Sequence, residues 1–345
     1  MASEKNTEMG VAEFIRHQSS SLPMALTATE CAGKTYIVTG SNIGLGLECS
    51  KHLVKLGSKK VIMAVRSLER GQAALAAVEA ETLVKGVAEV WQLDMGDYGS
   101  VKTFAARVER DLERVDGILE NAAAANGSWI VTEGMESTIA VNVVGTVLLA
   151  VLLMPYLSRC AKNFRIQPRI GIVTSGLGFS REVDLSKIDK TRGILGDVND
   201  SSKWDIDGTN RYSLSKLLQV FAVRRLAQLA PVEKTGIIIN LIGPGLCSTG
   251  LVRYLNSPSK LLVGGMRLVL GRSAEWGSRT LIHGIAAGEE SHGKFLSYCQ
   301  VKEEWVPRWV SNAQGDEWAV AIWDEVAGEL EKIQPSCVGK ALQDL

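Results

Sequence analysis

The stretch Tyr36-Ile37-Val38-Thr39-Gly40-Ser41-Asn42-Ile43-Gly44-Leu45-Gly46 limits what this chain can fold into more than any other. A β-branched apolar run ends in a glycine-rich turn, and the turn feeds straight into residues 47–54, where apolar side chains recur at helical spacing. Strand, glycine turn and helix in that order are the setting a phosphate-binding loop requires. Gly40, Gly44 and Gly46 let backbone approach backbone. Ser41, Asn42 and Ile43 carry the chain to a helix N-terminus, whose unpaired N–H groups and positive partial charge suit a pyrophosphate. The spacing is Gly-x-x-x-Gly-x-Gly rather than the commoner Gly-x-Gly-x-x-Gly, so a dinucleotide site has to be supported by the rest of the chain.

Short apolar runs then alternate with helical patterns. Strands are expected at 60–65, 87–93, 117–119, 169–174 and 235–241, and helices at 68–83, 101–112, around 141–157 and from Tyr212 to 229. Lys60-Val61-Ile62-Met63-Ala64-Val65 is almost wholly apolar, as strands buried on both faces are. This alternation implies βαβ units, so the expected class is α/β: a Rossmann-type doubly wound parallel sheet flanked by helices. A full sheet is complete by residue 245. One domain at 34–300 is therefore expected, with an N-terminal extension (1–33), a polar insertion shaping the substrate site (177–210), a Leu- and Gly-rich lid (250–275) and a helical tail (301–345). A short helix at 11–16, an edge strand at 294–298 and a helix at 317–333 complete the expectation. Trp305, Trp309, Trp318 and Trp323 crowd the tail, which suggests that it packs against the body.

Composition excludes several classes. With 38 basic and 38 acidic residues the net charge is zero, which gives no electrostatic reason to expect nucleic acid or an anionic membrane as partner. The longest apolar run, 141–157, is interrupted by Asn142, Gly145, Thr146 and Pro155 and reads as a buried helix, not a membrane span. The polar opening Met-Ala-Ser-Glu-Lys-Asn-Thr-Glu has no apolar signal core. Six scattered cysteines without a Cys-x-x-Cys pair fit reduced thiols, and a cytoplasmic protein is expected. His17, His52, His283 and His292 lie far apart, so no metal site is expected.

The chemistry-bearing residues come late. Ser175 follows the fifth strand, and Tyr212-Ser213-Leu214-Ser215-Lys216 opens the next helix. Tyr212 and Lys216 are an i,i+4 pair, so phenol and ammonium share one helix face. A neighbouring cation favours the phenolate and draws a tyrosine down from its usual value of about 10. Such a tyrosine can exchange a proton with an alcohol oxygen near neutral pH. Cofactor choice is also readable. No Asp or Glu stands about 20 residues past the glycines to bind a ribose 2′-hydroxyl. Arg66 ends the second strand instead, and an arginine pairs with a 2′-phosphate, so NADP(H) is favoured.

With these positions the chain resembles the short-chain dehydrogenases/reductases over residues 34–250. Thr39 to Gly46 matches the family's TGxxxGxG turn. Ser175, Tyr212 and Lys216 match its Ser and YxxxK residues, and Asn142 matches the Asn of its catalytic tetrad. Pro244-Gly245-Leu246-Cys247-Ser248-Thr249 matches the PGxxxT segment that lies along the nicotinamide. The resemblance implies that Pro244, Gly245, Thr249, Asn121, Ala122, Tyr212 and Lys216 contact the cofactor, that Asp94 binds adenine and that Met95 contributes backbone. It also implies that Asn142 holds a water linked to Lys216. The long gap from Ser175 to Tyr212 is similar to that of the retinol-dehydrogenase-like group and of fungal reductases of secondary metabolism. One departure is that the family's Asn-Asn-Ala-Gly appears as Glu120-Asn121-Ala122-Ala123; if that last position requires positive φ, alanine is strained.

The function implied is NADP(H)-dependent reduction of a ketone on a bulky apolar metabolite, with Tyr212 as proton donor. The alternatives are oxidation of a retinol- or steroid-like alcohol, or a non-redox role such as cyclisation, dehydration or NADP sensing. The expected partners are a small carbonyl or alcohol substrate and a second copy of the chain, since family members often form homodimers.

Overall fold

The computed structural model describes residues 11–180, 184–204, 208–248 and 270–343. After helix α1 (Val11–Gln18) the chain runs β1 (Thr35–Thr39), α2 (Gly44–Lys55), β2 (Lys60–Val65), α3 (Leu68–Thr82), β3 (Ala88–Gln92), α4 (Tyr98–Asp111) and β4 (Gly117–Glu120). It continues with α5 (Thr146–Phe164), β5 (Arg169–Val173), α6 (Ile194–Val198), α7 (Gly208–Leu229) and β6 (Ile238–Gly243). The last elements are α8 (Ala274–Gly284), β7 (Phe295–Ser297), β8 (Gln300–Val301) and α9 (Ala313–Ile333).

The strands form one sheet in the order β8-β7-β6-β5-β4-β1-β2-β3. All neighbours are parallel except β7 and β8. Strand order reverses between β1 and β4, and ligands of such sheets bind in the crevice beyond the carboxyl ends at that reversal. Because successive strand residues point to opposite faces, β1 and β2 divide their side chains between two cores. Ile37 and Ile62 join Trp91, Phe104, Val147, Leu217 and Phe221 on one face. Val38 and Met63 join Leu53, Val54 and Leu281 on the other.

Several helices start where a side chain can cap them. Asp97 accepts from Ser100 N at 3.0 Å and Asn312 from Gly315 N at 3.1 Å. The apolar run before α5 begins with a π-helical turn, Ala140–Gly145. The continuous helical stretch Ser137–Phe164 is long and apolar enough to cross a bilayer, yet 89% of its most apolar window is buried inside the protein. It is a core helix. The tail packs as its tryptophans suggest: Trp305, Trp318 and Trp323 are buried in the first core. Among the described residues the six cysteines form no disulfide, and five of them are buried.

Two expectations shift. The sixth strand begins at Ile238, because Val232–Thr235 form a helical turn that Gly236 closes at φ +70°. The expected edge strand is β7, but β8 folds back on it and takes the edge. Within 177–210 the described residues form short helical turns and α6. Of the expected lid, residues 250–269 lie outside the described residues, as does Thr249.

Candidate active site

The glycine turn sits at the sheet's reversal. Gly40 N donates to Ala64 O at 2.8 Å, which fixes the turn against β2. Gly40 has φ +65° and Gly44 φ +60°, conformations that side chains with a Cβ avoid. At Gly46 the constraint is space: an added Cβ would stand 2.6 Å from Gly40 O and 2.7 Å from Asn121 Nδ2. Thr39 Oγ1 accepts from Asn121 N at 3.0 Å and Ala122 N at 2.9 Å, and Asn121 Nδ2 donates to Thr39 O at 2.9 Å. The ends of β1 and β4 are thus laced together beside the turn. Ala123 is not among the residues with positive φ, so alanine there carries no strain.

The turn fits a dinucleotide. Helix α2 starts at N-cap Ile43, which supplies no side-chain hydrogen bond, so its first N–H groups are uncapped. Ser41 Oγ is buried without a partner at the same place. Arg66 follows β2, exposed and, among the described residues, unpaired. Asp94 and Met95 follow β3, where Asp94 Oδ1 accepts from Gly96 N at 3.0 Å and Met95 is buried.

The second cluster lies where β5 meets α7. Ser175 caps the turn Gly176–Phe179, its Oγ accepting from Leu177 N at 3.2 Å. Lys216 is 1% exposed; its Nζ donates to Val173 O at 2.8 Å and lies 5.8 Å from the centre of the Tyr212 ring. Burial pulls the Lys216 ammonium down to about 7, opposed by the negative form of Glu120. Asn142 lies in the π-helical turn. Its Oδ1 accepts from Ala124 N at 2.8 Å, and its Nδ2 donates to Ala124 O at 2.8 Å and Ser215 Oγ at 2.9 Å. Ser175, Tyr212, Lys216 and Asn142 therefore gather at one junction. Pro244 and Gly245 follow β6, the strand paired with β5.

Two residues at this junction were not foreseen. Gln219 Oε1 accepts from Lys216 Nζ at 3.2 Å, and its Nε2 donates to the Asn142 carbonyl at 2.7 Å. A side chain thus spans the two groups between which the resemblance implies a water. Its signal was its i+3 spacing from Lys216 on the same helix face. Glu120 ends β4 at 2% exposure, and neither carboxylate oxygen has a hydrogen-bond partner among the described residues. Burial pushes its carboxyl well above the usual range, and Lys216 acts to lower it. A charged residue closing an apolar strand was its signal.

Known proteins resemble this chain in sequence and in fold. A family model of short chain dehydrogenases matches residues 34–184. The short chain dehydrogenase/reductase dmxR8 of Cryptosporiopsis sp. is 40% identical over 306 residues, 88% of this chain and 92% of that one. The short chain dehydrogenase atnD of Emericella nidulans is 38% identical over 290 residues, 83% of this chain and 90% of that one. The chain belongs to the short-chain dehydrogenase/reductase family. It is an oxidoreductase with a fold that binds a nicotinamide cofactor and acts on a small molecule. Among solved structures, the Pseudomonas aeruginosa RhlG/NADP active-site complex shares the fold, with a TM-score of 0.58 at 20% identity over 77% of this chain and 94% of that one.

Proposed function

We propose that the protein is an NADP(H)-dependent reductase that converts a ketone on a bulky, largely apolar metabolite to the alcohol. The observation that carries this reading is the buried Lys216 ammonium one helical turn from Tyr212, its Nζ 5.8 Å from the ring centre. When bound, the reduced nicotinamide supplies a hydride to the carbonyl carbon. Tyr212 hydrogen-bonds the carbonyl oxygen and gives up its proton as negative charge develops there. The Lys216 ammonium stabilises the phenolate that remains, which lowers the cost of that transfer. Ser175 at the end of β5 donates to the same oxygen and orients it. Asn142 holds this face of α7 through Ser215, 2.9 Å away.

Arg66 supports NADP(H), because its exposed guanidinium at the end of β2, with no ion-pair partner among the described residues, suits a 2′-phosphate. The fungal relatives and the long 177–210 insertion support a secondary metabolite as substrate. The test is NADPH consumption over a panel of ketones, with product mass as a second readout. Reduction adds two hydrogens, whereas cyclisation or dehydration does not. Tyr212→Phe is expected to lose turnover by about a thousandfold, the scale of a positioned general acid. A Tyr212→Phe variant with full turnover sinks the assignment.

A further inference from the structure

Among the described residues, Glu120 is a buried carboxyl with neither oxygen hydrogen-bonded. It ends β4 in register with Ile172 of β5, one residue before Val173, whose carbonyl accepts from Lys216. Along β4 its side chain has the parity of Ile118, and Ile118 lies in the core that Leu217 and Phe221 of α7 fill. Glu120 therefore points to the face from which Lys216 enters. A carboxyl in that position, with neither oxygen hydrogen-bonded, costs stability and needs a reason.

The surroundings narrow the reason. The charged group acting on Glu120 is Lys216, and the one acting on Lys216 is Glu120. The adjoining strand ends bring Thr39 and Ser41 from β1 and Ile172 and Thr174 from β5. The π-helical turn brings Asn142, and α7 adds Gln219; none of these titrates. Tyr212 is a further ionisable group on this face of α7, its ring centre 5.8 Å from Lys216 Nζ. Gln219 fills the span from Lys216 to the Asn142 carbonyl with an amide, which orients the ammonium but neither gains nor loses a proton at ordinary pH.

We propose that Glu120 is a positioning residue of the reaction: the buried counter-group of Lys216, so that the two titrate together and set the pH range over which Tyr212 can act as acid. This rests on the assignment of Tyr212 and Lys216 as the acid–base pair. As pH rises, Glu120 ionises beside the ammonium and holds it charged. In the reductive direction the Tyr212 proton goes to the substrate oxygen, while ionised Glu120 keeps the Lys216 ammonium charged beside the phenolate that forms. A solvent proton restores Tyr212 after product leaves, so each turnover consumes one solvent proton.

The test is the pH dependence of kcat/KM for NADPH-driven reduction by the full chain. Glu120→Gln removes the ionisable group while keeping size, and the alkaline limb should move to lower pH by about one pH unit, a tenfold loss on that side. Glu120→Asp, which keeps a carboxyl, should return the limb toward the wild-type position. If Glu120→Gln does not fold, Glu120→Asn, the residue the family places here, carries the same test. A limb unchanged in the neutral variant while Tyr212→Phe is inactive overturns this proposal alone. An active Tyr212→Phe variant overturns the acid–base assignment beneath it.

Discussion

Two loops flank the crevice, and they are held in opposite ways. The turn after β1 is held within its own sheet: Gly40 bonds to β2, Gly46 packs against Gly40 itself, and Asn121 laces the turn to β4. The loop after β6 is held from far away. Gln18 of α1 accepts from Leu246 N at 3.3 Å, donates to Leu246 O, and accepts from Tyr298 Oη at 3.1 Å. Arg272 then binds both sides of the contact, with Nε donating to Gln18 O at 3.0 Å and its backbone N to Leu246 O at 2.9 Å. Gln18 and Leu246 are 228 residues apart in sequence. Both loops adopt tight conformations, and Gly245 at φ +76° is as constrained as Gly40. What differs is whether the support comes from the neighbouring strands of the sheet or from segments outside it.

The comparison breaks most readily at the local loop. Gly46→Ala has no room to relax, since the atoms it would strike are backbone and a side chain that is itself fixed. Overpacking of this kind costs about 1–3 kcal/mol. At the binding turn it should appear as a loss of NADPH affinity approaching a hundredfold, read by fluorescence titration. Near-normal affinity in a folded Gly46→Ala protein would mean that the turn does not approach the cofactor closely.

Next in size is Arg66, on the same side of the crevice. Arg66→Ala should weaken NADPH by about tenfold, the value of a charge-assisted contact, while leaving NADH within about twofold. Equal losses for both cofactors would show that Arg66 does not meet the 2′-phosphate. The nearby Asp94 serves as a contrast, since any role it has in binding adenine would affect both cofactors alike.

This division also explains what could be read in advance. The glycine turn was legible because its glycines and their spacing lie within eight consecutive residues. Tyr212 and Lys216 were legible because helical spacing alone puts them on one face. Asn142 was visible only through family resemblance, since its partners Ala124 and Ser215 come from other elements. Gln219 has a similar spacing to Lys216 as Tyr212 does, but a glutamine on a buried helix face announces no role until its acceptor is seen. The sixth strand was misjudged by three residues because Thr235 and Gly236 carry β-compatible neighbours yet end a helical turn. The long-range clamp of Gln18 on Leu246 left no trace in the sequence, and the extension holding it read only as a short helix.

The distant loop supplies the smallest predicted effect and the sharpest use of the comparison. Gln18→Ala removes the partners of Leu246 N and Tyr298 Oη and one of the two donors to Leu246 O, which keeps the Arg272 backbone N. These groups can regain water where the contact reaches the surface, so the loss should be about 1 kcal/mol and not the full sum of three bonds. It should appear as a thermal midpoint lowered by a few degrees, with NADPH affinity changed by less than about threefold, because the pyrophosphate turn is untouched. If the two loops act independently, Gln18→Ala combined with Gly46→Ala should give additive losses, as sites without shared partners do. A clear excess over additivity would show that α1 braces the whole crevice, and the two kinds of support would then be one. The Arg272 guanidinium makes this a real question, since it reaches Gln18 O, Ser20 O and the Tyr298 ring from a single side chain.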